Sequence, residues 1–476
     1  MNEEHHVKKT MRHISTHILA MLIPSIIWHH KRLKSLIAGC VIVMLNIAIS
    51  THASANMIRD TEIEHFLLSL ARPMAATAGL DANQLQIRVI IDPRFNAFVT
   101  GENTIFIHSG MIIEAENVYE VAGVLAHEMG HLASGHVPSR SEVIDQAMMT
   151  AMFGAVAAIA LSASGHGEAA IGTVLGSNDQ ARRKVLKQSR QDESEADQWA
   201  IKLMDAHDYP ILPMAQMMAK MAKQRLLPVS RQSDYYQTHP GAAERSSVFL
   251  DHAKTKSHTD ANATHHQPSD ALIHQFEQVR AKMRGWTDAP SQSLLHTDST
   301  DTNSKYLRAI ALYRLSDLEG TLALMDQLIA NDPANPFYYE FKGEILLSSG
   351  RPDAAITAFE MGLKQLDADV NTGQIKLSLG RALMHKGDAD SLNRAIPLLE
   401  EANQLEPDWA FVKHQLGITY GRAGRVTDAD LVLSERALML GNDSLAKQLA
   451  LRAKNNPDAT VIQKQLALDI IAQIDQ

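Results

Sequence analysis

Apolar residues recur at helical spacing from Met57 to about Ala78, through Ile58, Ile63, Phe66, Leu67 and Leu70, and Pro73 is expected to kink or end that helix. Two runs rich in β-branched and apolar residues follow, Leu85–Ile91 and Thr104–Ile107. Turn signals at Asp92-Pro93 and Gly101-Glu102-Asn103 separate them, so the pattern predicts a small sheet. Ala97–Thr100, in between, reads equally well as an edge strand and as a buried connector. From Val121 to His136 the positions are apolar or small nearly all round, as in a helix buried on every side. Ala147–Ala163 is a second apolar run, whose alanine and glycine content favours a packed helix or flap over a membrane span. Between 252 and 305, His, Ser, Thr, Asp and Asn dominate, which predicts a polar linker with one short helix, Ala271–Met283. From Tyr306 the pattern becomes repetitive: Ser316, Gly350, Gly387 and Gly424 stand in the same place between two helical stretches, at spacings of 34, 37 and 37 residues.

Length and charge add to this picture. A chain of 476 residues suggests about three domains, and its formal charge of −9 argues against a nucleic-acid partner. The first 55 residues carry six basic and two acidic side chains, so the remainder is more acidic still. A basic run, an apolar run from Leu36 to Ile49 and then Ala53-Ser54-Ala55 predict a cleavable export signal over 1–55 that includes an N-terminal extension, with translation starting as late as Met11 or Met21. Cleavage leaves Asn56 first. The single cysteine, Cys40, lies inside the apolar run, so the mature fold is expected to contain no disulfide.

The candidate chemistry starts in the buried helix. His127 and His131 are one turn apart and share a face, close enough for both imidazoles to hold one metal ion, with Glu128 beside them. A carboxylate there accepts a proton from a metal-bound water as it attacks a carbonyl, the division of labour expected of H-E-x-x-H in a zinc peptidase. Farther on, Gln188–Ala200 reads as the start of another helix, on which Glu193 and Asp197 share a face. One of these carboxylates is a candidate third ligand and the other a partner for a ligand histidine's N–H; a solvated acidic face near a helix N-terminus is the plainer alternative.

Ala126-His127-Glu128-Met129-Gly130-His131, then Glu193-Ser194-Glu195-Ala196-Asp197, then Thr238-His239-Pro240 with Arg245, resembles the zinc peptidases related to the CAAX prenyl proteases and HtpX. The resemblance covers roughly residues 57–250 and includes Asn96-Ala97-Phe98, before the strand on the substrate side. It implies one zinc ion per chain held by His127, His131 and Glu193, with Glu128 as general base and Asp197 supporting a ligand. Glu195, two residues from either carboxylate, is expected to point away from the metal, and His136, nine residues after His127, is treated as structural. His239 either takes the open metal position and holds the enzyme inactive or donates to the oxyanion, with Arg245 as a second donor or as support.

Leu416-Gly417-Ile418-Thr419-Tyr420 resembles the tetratricopeptide signature, with weaker copies at Leu379-Gly380 and Lys342-Gly343, implying about four units. The expected architecture is therefore α+β. A mainly helical zincin-type metallopeptidase domain with a small β-sheet (56–251) is followed by the linker (252–305) and an all-α tetratricopeptide solenoid (306–476). Export signal, peptidase and solenoid together resemble the repeat-bearing periplasmic members of the family. That resemblance implies an endopeptidase with a chaperone role that degrades misassembled outer-membrane proteins and docks on the β-barrel assembly machinery through its repeats, associating peripherally with the membrane. The rival reading is a chaperone or scaffold with an inactive peptidase site, whose function is protein binding by the repeats.

Overall fold

The side chain of Asp60 accepts a hydrogen bond from the Ile63 N–H and so starts the first helix, α1 (Thr61–Thr77). The computed structural model describes residues 57–100, 103–136, 167–223, 239–259, 268–295 and 301–475, with isolated positions between 146 and 155. The expected leader, most of Ala147–Ala163 and Thr238 lie outside the described residues. Of the two outcomes expected at Pro73, a kink or an end, helix α1 does not end there: it runs through it to Thr77, with one face of Ile63, Leu67, Leu70 and Met74 sealed in the core.

Four short strands form one sheet in the order β1-β2-β4-β3: β1 (Met57–Ile58), β2 (Gln86–Ile90), β3 (Ala97–Thr100) and β4 (Thr104–His108). β2 and β4 run parallel, while β1 and β3 are antiparallel to their neighbours at the two edges. Among the described residues Ala97–Thr100 is therefore an edge strand, in line with the first of the two readings of that segment. Next come α2 (Ser109–Glu114) and α3 (Val118–Ala133). Asn117 caps α3 by accepting from the N–H groups of Tyr119 and Glu120, and residues 118 to 131 of the helix are all buried. Helix α4 (Gly167–Ala206) packs against α3, followed by α5 (Leu212–Ala222) and α6 (Ala242–Thr259). Gln188–Ala200 is thus not a helix start, as expected, but the far part of a 40-residue helix, so its acidic residues owe nothing to an N-terminal dipole.

The segment read as a linker carries α7 (Asp270–Thr287), which is considerably more than a linker piece. Phe276, Val279 and Met283 belong to the core built by the sheet and α1 to α6, while Trp286, near its end, packs on the core of the repeats. After α8 (Pro290–Leu295), five helical pairs follow from Thr302 to Ile474, where about four units were expected. Ser316, Gly350, Gly387 and Gly424 all adopt positive φ at the turns between paired helices. Glycine meets that demand freely; Ser316, at φ 64°, is the one side chain held there among the four.

The first turn of α1 is the plug that joins the sheet-bearing part of the chain to the repeats. The buried Glu62 carboxylate accepts from Tyr306 Oη at 2.9 Å and pairs with Lys282 Nζ at 2.9 Å, and Asp60 pairs with the same ammonium at 2.7 Å. Burial pushes the Lys282 ammonium down, but Asp60 and Glu62 outweigh it and hold it above its ordinary value. Glu64 pairs with Arg88 at 2.7 Å and accepts from Gln374, while Arg59 reaches Glu406 at 2.8 Å. No helix among the described residues is long and apolar enough to cross a membrane.

Candidate metal centre

Three helices and one loop residue make the site. α3 presents His127, Glu128 and His131, α4 presents Glu193 and Asp197, and His239 with Arg245 arrives from just before and within α6. Every one of these side chains is buried. The helices meet closely because Gly130 faces Ala196: a Cβ on Gly130 would lie 2.9 Å from the Ala196 Cα and carbonyl oxygen and 2.9 Å from Trp199 Cβ. Backbone cannot yield as a flexible side chain can. We therefore expect Gly130→Ala to cost about 1–3 kcal/mol through overpacking and to part His131 from Glu193. Metal content and melting temperature check this, and an unchanged metal stoichiometry would contradict it.

His127 Nε2 lies 3.2 Å from His131 Nε2, 3.3 Å from Glu193 Oε2 and 3.3 Å from His239 Nδ1. His131 Nε2 is 3.5 Å from Glu193 Oε1, and His239 Nδ1 is 3.0 Å from Glu193 Oε2. Donor atoms of His127, His131, Glu193 and His239 all fall within 4.8 Å of one another. A tetrahedron of ligands about 2.05 Å from zinc has edges of about 3.3 Å, so this donor set fits such an ion. Charge agrees with shape. Burial and Arg245 push the His127 imidazole down, yet its bonds to Asp197 and Glu193 outweigh them and lift it to about 9, so without a cation the site keeps a proton there. Burial pushes Glu193 up, and His239, His127 and Arg245 hold it well below the usual carboxylate range.

Glu128 is fully buried and neither carboxylate oxygen has a hydrogen-bond partner among the described residues, although His239 Nε2 stands 3.6 Å from one of them. Burial raises its carboxyl above the ordinary value. His127 Nδ1 meets Asp197 at 3.0 Å, which leaves the Nε2 lone pair toward the centre of the cluster. Arg245 binds Asp197 through two nitrogens at 2.8 Å each and Glu193 at 2.7 Å. His239 Nε2 is 3.3 Å from the Ala97 carbonyl oxygen of edge strand β3.

Sequence reasoning overlooked two contributors. His136, set aside as structural, lies with Nδ1 2.8 Å from His131 Nδ1, because the chain leaves α3 through Gly135 at φ 65° and folds back. Gly130 stood inside the quoted motif, but only the approach of Ala196, on another helix, reveals its purpose. Glu195 does point away from the cluster, with its carboxylate largely in solvent.

Residues 57–252 match the family model described as peptidase family M48. The β-barrel assembly-enhancing protease of Yersinia pestis is 24% identical over 343 residues, covering 69% of this chain and 67% of that protein. Its counterpart in Escherichia coli K12 is 22% identical over 359 residues, covering 72% of this chain and 70% of the relative. Metalloprotease LoiP of Escherichia coli K12 is 27% identical over 181 residues, 36% of this chain and 64% of that protein. The first two matches are longer than the peptidase domain and so extend into the helices around it. This chain is a metalloprotease whose residues 57–252 match peptidase family M48, and over 69–72% of its length it is similar to β-barrel assembly-enhancing proteases.

Proposed function

We propose that the protein is an exported zinc endopeptidase of the H-E-x-x-H plus Glu type that acts in the periplasm on misassembled outer-membrane β-barrel proteins. The observation that carries the reading is the convergence of His127, His131, Glu193 and His239 beside a buried Glu128 whose oxygens have no hydrogen-bond partner among the described residues. The names of the relatives support the substrate class. In this reading His127, His131 and Glu193 would hold one zinc ion per chain, and His239, whose Nδ1 lies among their donor atoms, would block the site at rest. When bound, zinc supplies a Lewis acid that polarises the scissile carbonyl and acidifies water. Glu128 takes the proton from the attacking water and returns it to the departing amine. Asp197 fixes the His127 tautomer, and Arg245, committed to Asp197 and Glu193, is a support of the ligands rather than an oxyanion donor. The outer edge of β3 receives an extended substrate backbone. The repeats present a surface for the assembly machinery and for chaperone clients.

His239 makes the reading testable. As a gate, it predicts that His239→Ala raises basal cleavage of an unfolded protein above wild type, with zinc retained. As an oxyanion donor, it predicts a fall in kcat of roughly 100-fold or more. Rates unchanged from wild type would remove His239 from both roles, and the absence of peptidase activity from both zinc-loaded wild type and zinc-loaded His239→Ala would overturn the proposed function.

A further inference from the structure

We infer that His136 is a positioning residue that sets the tautomer of His131, and that Glu195 and Asp192 set the tautomer of His136 in turn. This rests on the reading of His131 as a metal ligand. Two neutral imidazole nitrogens 2.8 Å apart share one proton between them. If His136 supplied it, neutral His131 would carry its own proton on Nε2, aimed at His127 Nε2 and Glu193 and useless for binding a cation. If His131 supplies it, the Nε2 lone pair faces the cluster, as ligation requires. His136 can accept on Nδ1 only with its proton on Nε2, and that nitrogen faces Glu195 Oε2 at 3.4 Å and Asp192 Oδ1 at 3.9 Å. Both acceptors favour that tautomer. Asp192 is buried, its Oδ1 also accepts from Gln188, and its other oxygen has no hydrogen-bond partner among the described residues.

The two ligand histidines of α3 are thus oriented differently. His127 meets its carboxylate, Asp197, directly, whereas His131 reaches its carboxylates through an interposed imidazole. The interposed ring is itself buried, and the chain of contacts ends at Glu195, whose carboxylate is 59% exposed. Helix α4 therefore orients both histidines, Asp197 acting on one and the Asp192–Glu195 turn on the other.

The test compares His136→Leu with His136→Asn in the full-length protein, because the Asn side-chain oxygen stands near the position of the imidazole Nδ1 and can still accept. Zinc affinity, measured by competition with a chromophoric chelator, is expected to fall roughly 10- to 100-fold in the Leu variant and to be largely restored in the Asn variant. The visible spectrum of the cobalt-substituted protein is expected to shift for Leu and to stay near wild type for Asn. If His136→Leu does not fold in the metal-free state, His136→Phe takes its place in the comparison. A Leu or Phe variant that binds zinc as wild type does, or an Asn variant as weak as they are, overturns the inference while leaving the ligand assignment intact. Wild-type protein that takes up no zinc overturns both.

Discussion

Glu128→Gln is expected to keep its zinc and to lose proteolysis by about 10²- to 10⁴-fold, the contribution a positioned general base ordinarily makes. The substitution keeps size and shape and touches none of the hydrogen bonds among His127, His131, Glu193 and Asp197, since the Glu128 oxygens make none among the described residues. It does remove the one carboxylate of α3 in the site that can accept a proton there. The wild-type carboxylate already bears the cost of burial without a partner, so a neutral amide in its place should not lower the melting temperature. Elemental analysis for zinc and cleavage of an unfolded protein, made on the same preparation, separate the two effects. Near-normal cleavage by the variant would take Glu128 out of the mechanism.

Lys282→Ala is expected to cost about 3–5 kcal/mol, the usual penalty for leaving buried charges without their partner. Lys282 is buried and pairs with both Asp60 and Glu62, while Glu62 also serves Tyr306 and Gln278. Denaturant unfolding reads the loss directly, and adding Glu62→Gln to Lys282→Ala should recover part of it, since one stranded charge disappears. If Lys282→Ala unfolds at the wild-type midpoint, the plug contributes nothing to stability. The same contacts bear on truncation. Removing Tyr306–Gln476 strips Glu62 of Tyr306, Glu64 of Gln374 and Arg59 of Glu406, so the peptidase would have to keep its first helix without those partners.

What the sequence could reveal follows from how far apart the interacting residues lie. His127 with His131, and Glu193 with Asp197, are each four residues apart on a helix, and that spacing alone places each pair on one face. The turns at Ser316, Gly350, Gly387 and Gly424 were equally visible, because a left-handed turn asks for particular residues at a fixed interval. Contacts between distant segments were not. Arg59 and Glu406 are 347 positions apart, and no local pattern announces their pairing. The helical run of α4 back to Gly167 was hidden by a polar stretch with no clear periodicity. His136 was missed for a different reason: its offset from the ligands fitted no metal-binding spacing, and its partner is a ligand rather than the metal.

The hydrogen bond between His239 and the Ala97 carbonyl has a consequence for which chains are cut. Asn96 turns its carbonyl inward to His108 of β4, so Ala97 next to it turns its own to the open edge, where an added strand would bind. On the proposed reading, the resting imidazole and the incoming backbone compete for one acceptor. A short peptide forms too few ladder bonds to offset the displacement of His239, and its apparent affinity drops by the small fraction of enzyme already open. A long unpaired strand makes many such bonds and opens the site as it docks. Selection would then act on the length of exposed strand before any side chain is read, which is the property that separates an unassembled β-barrel from one whose edges are closed.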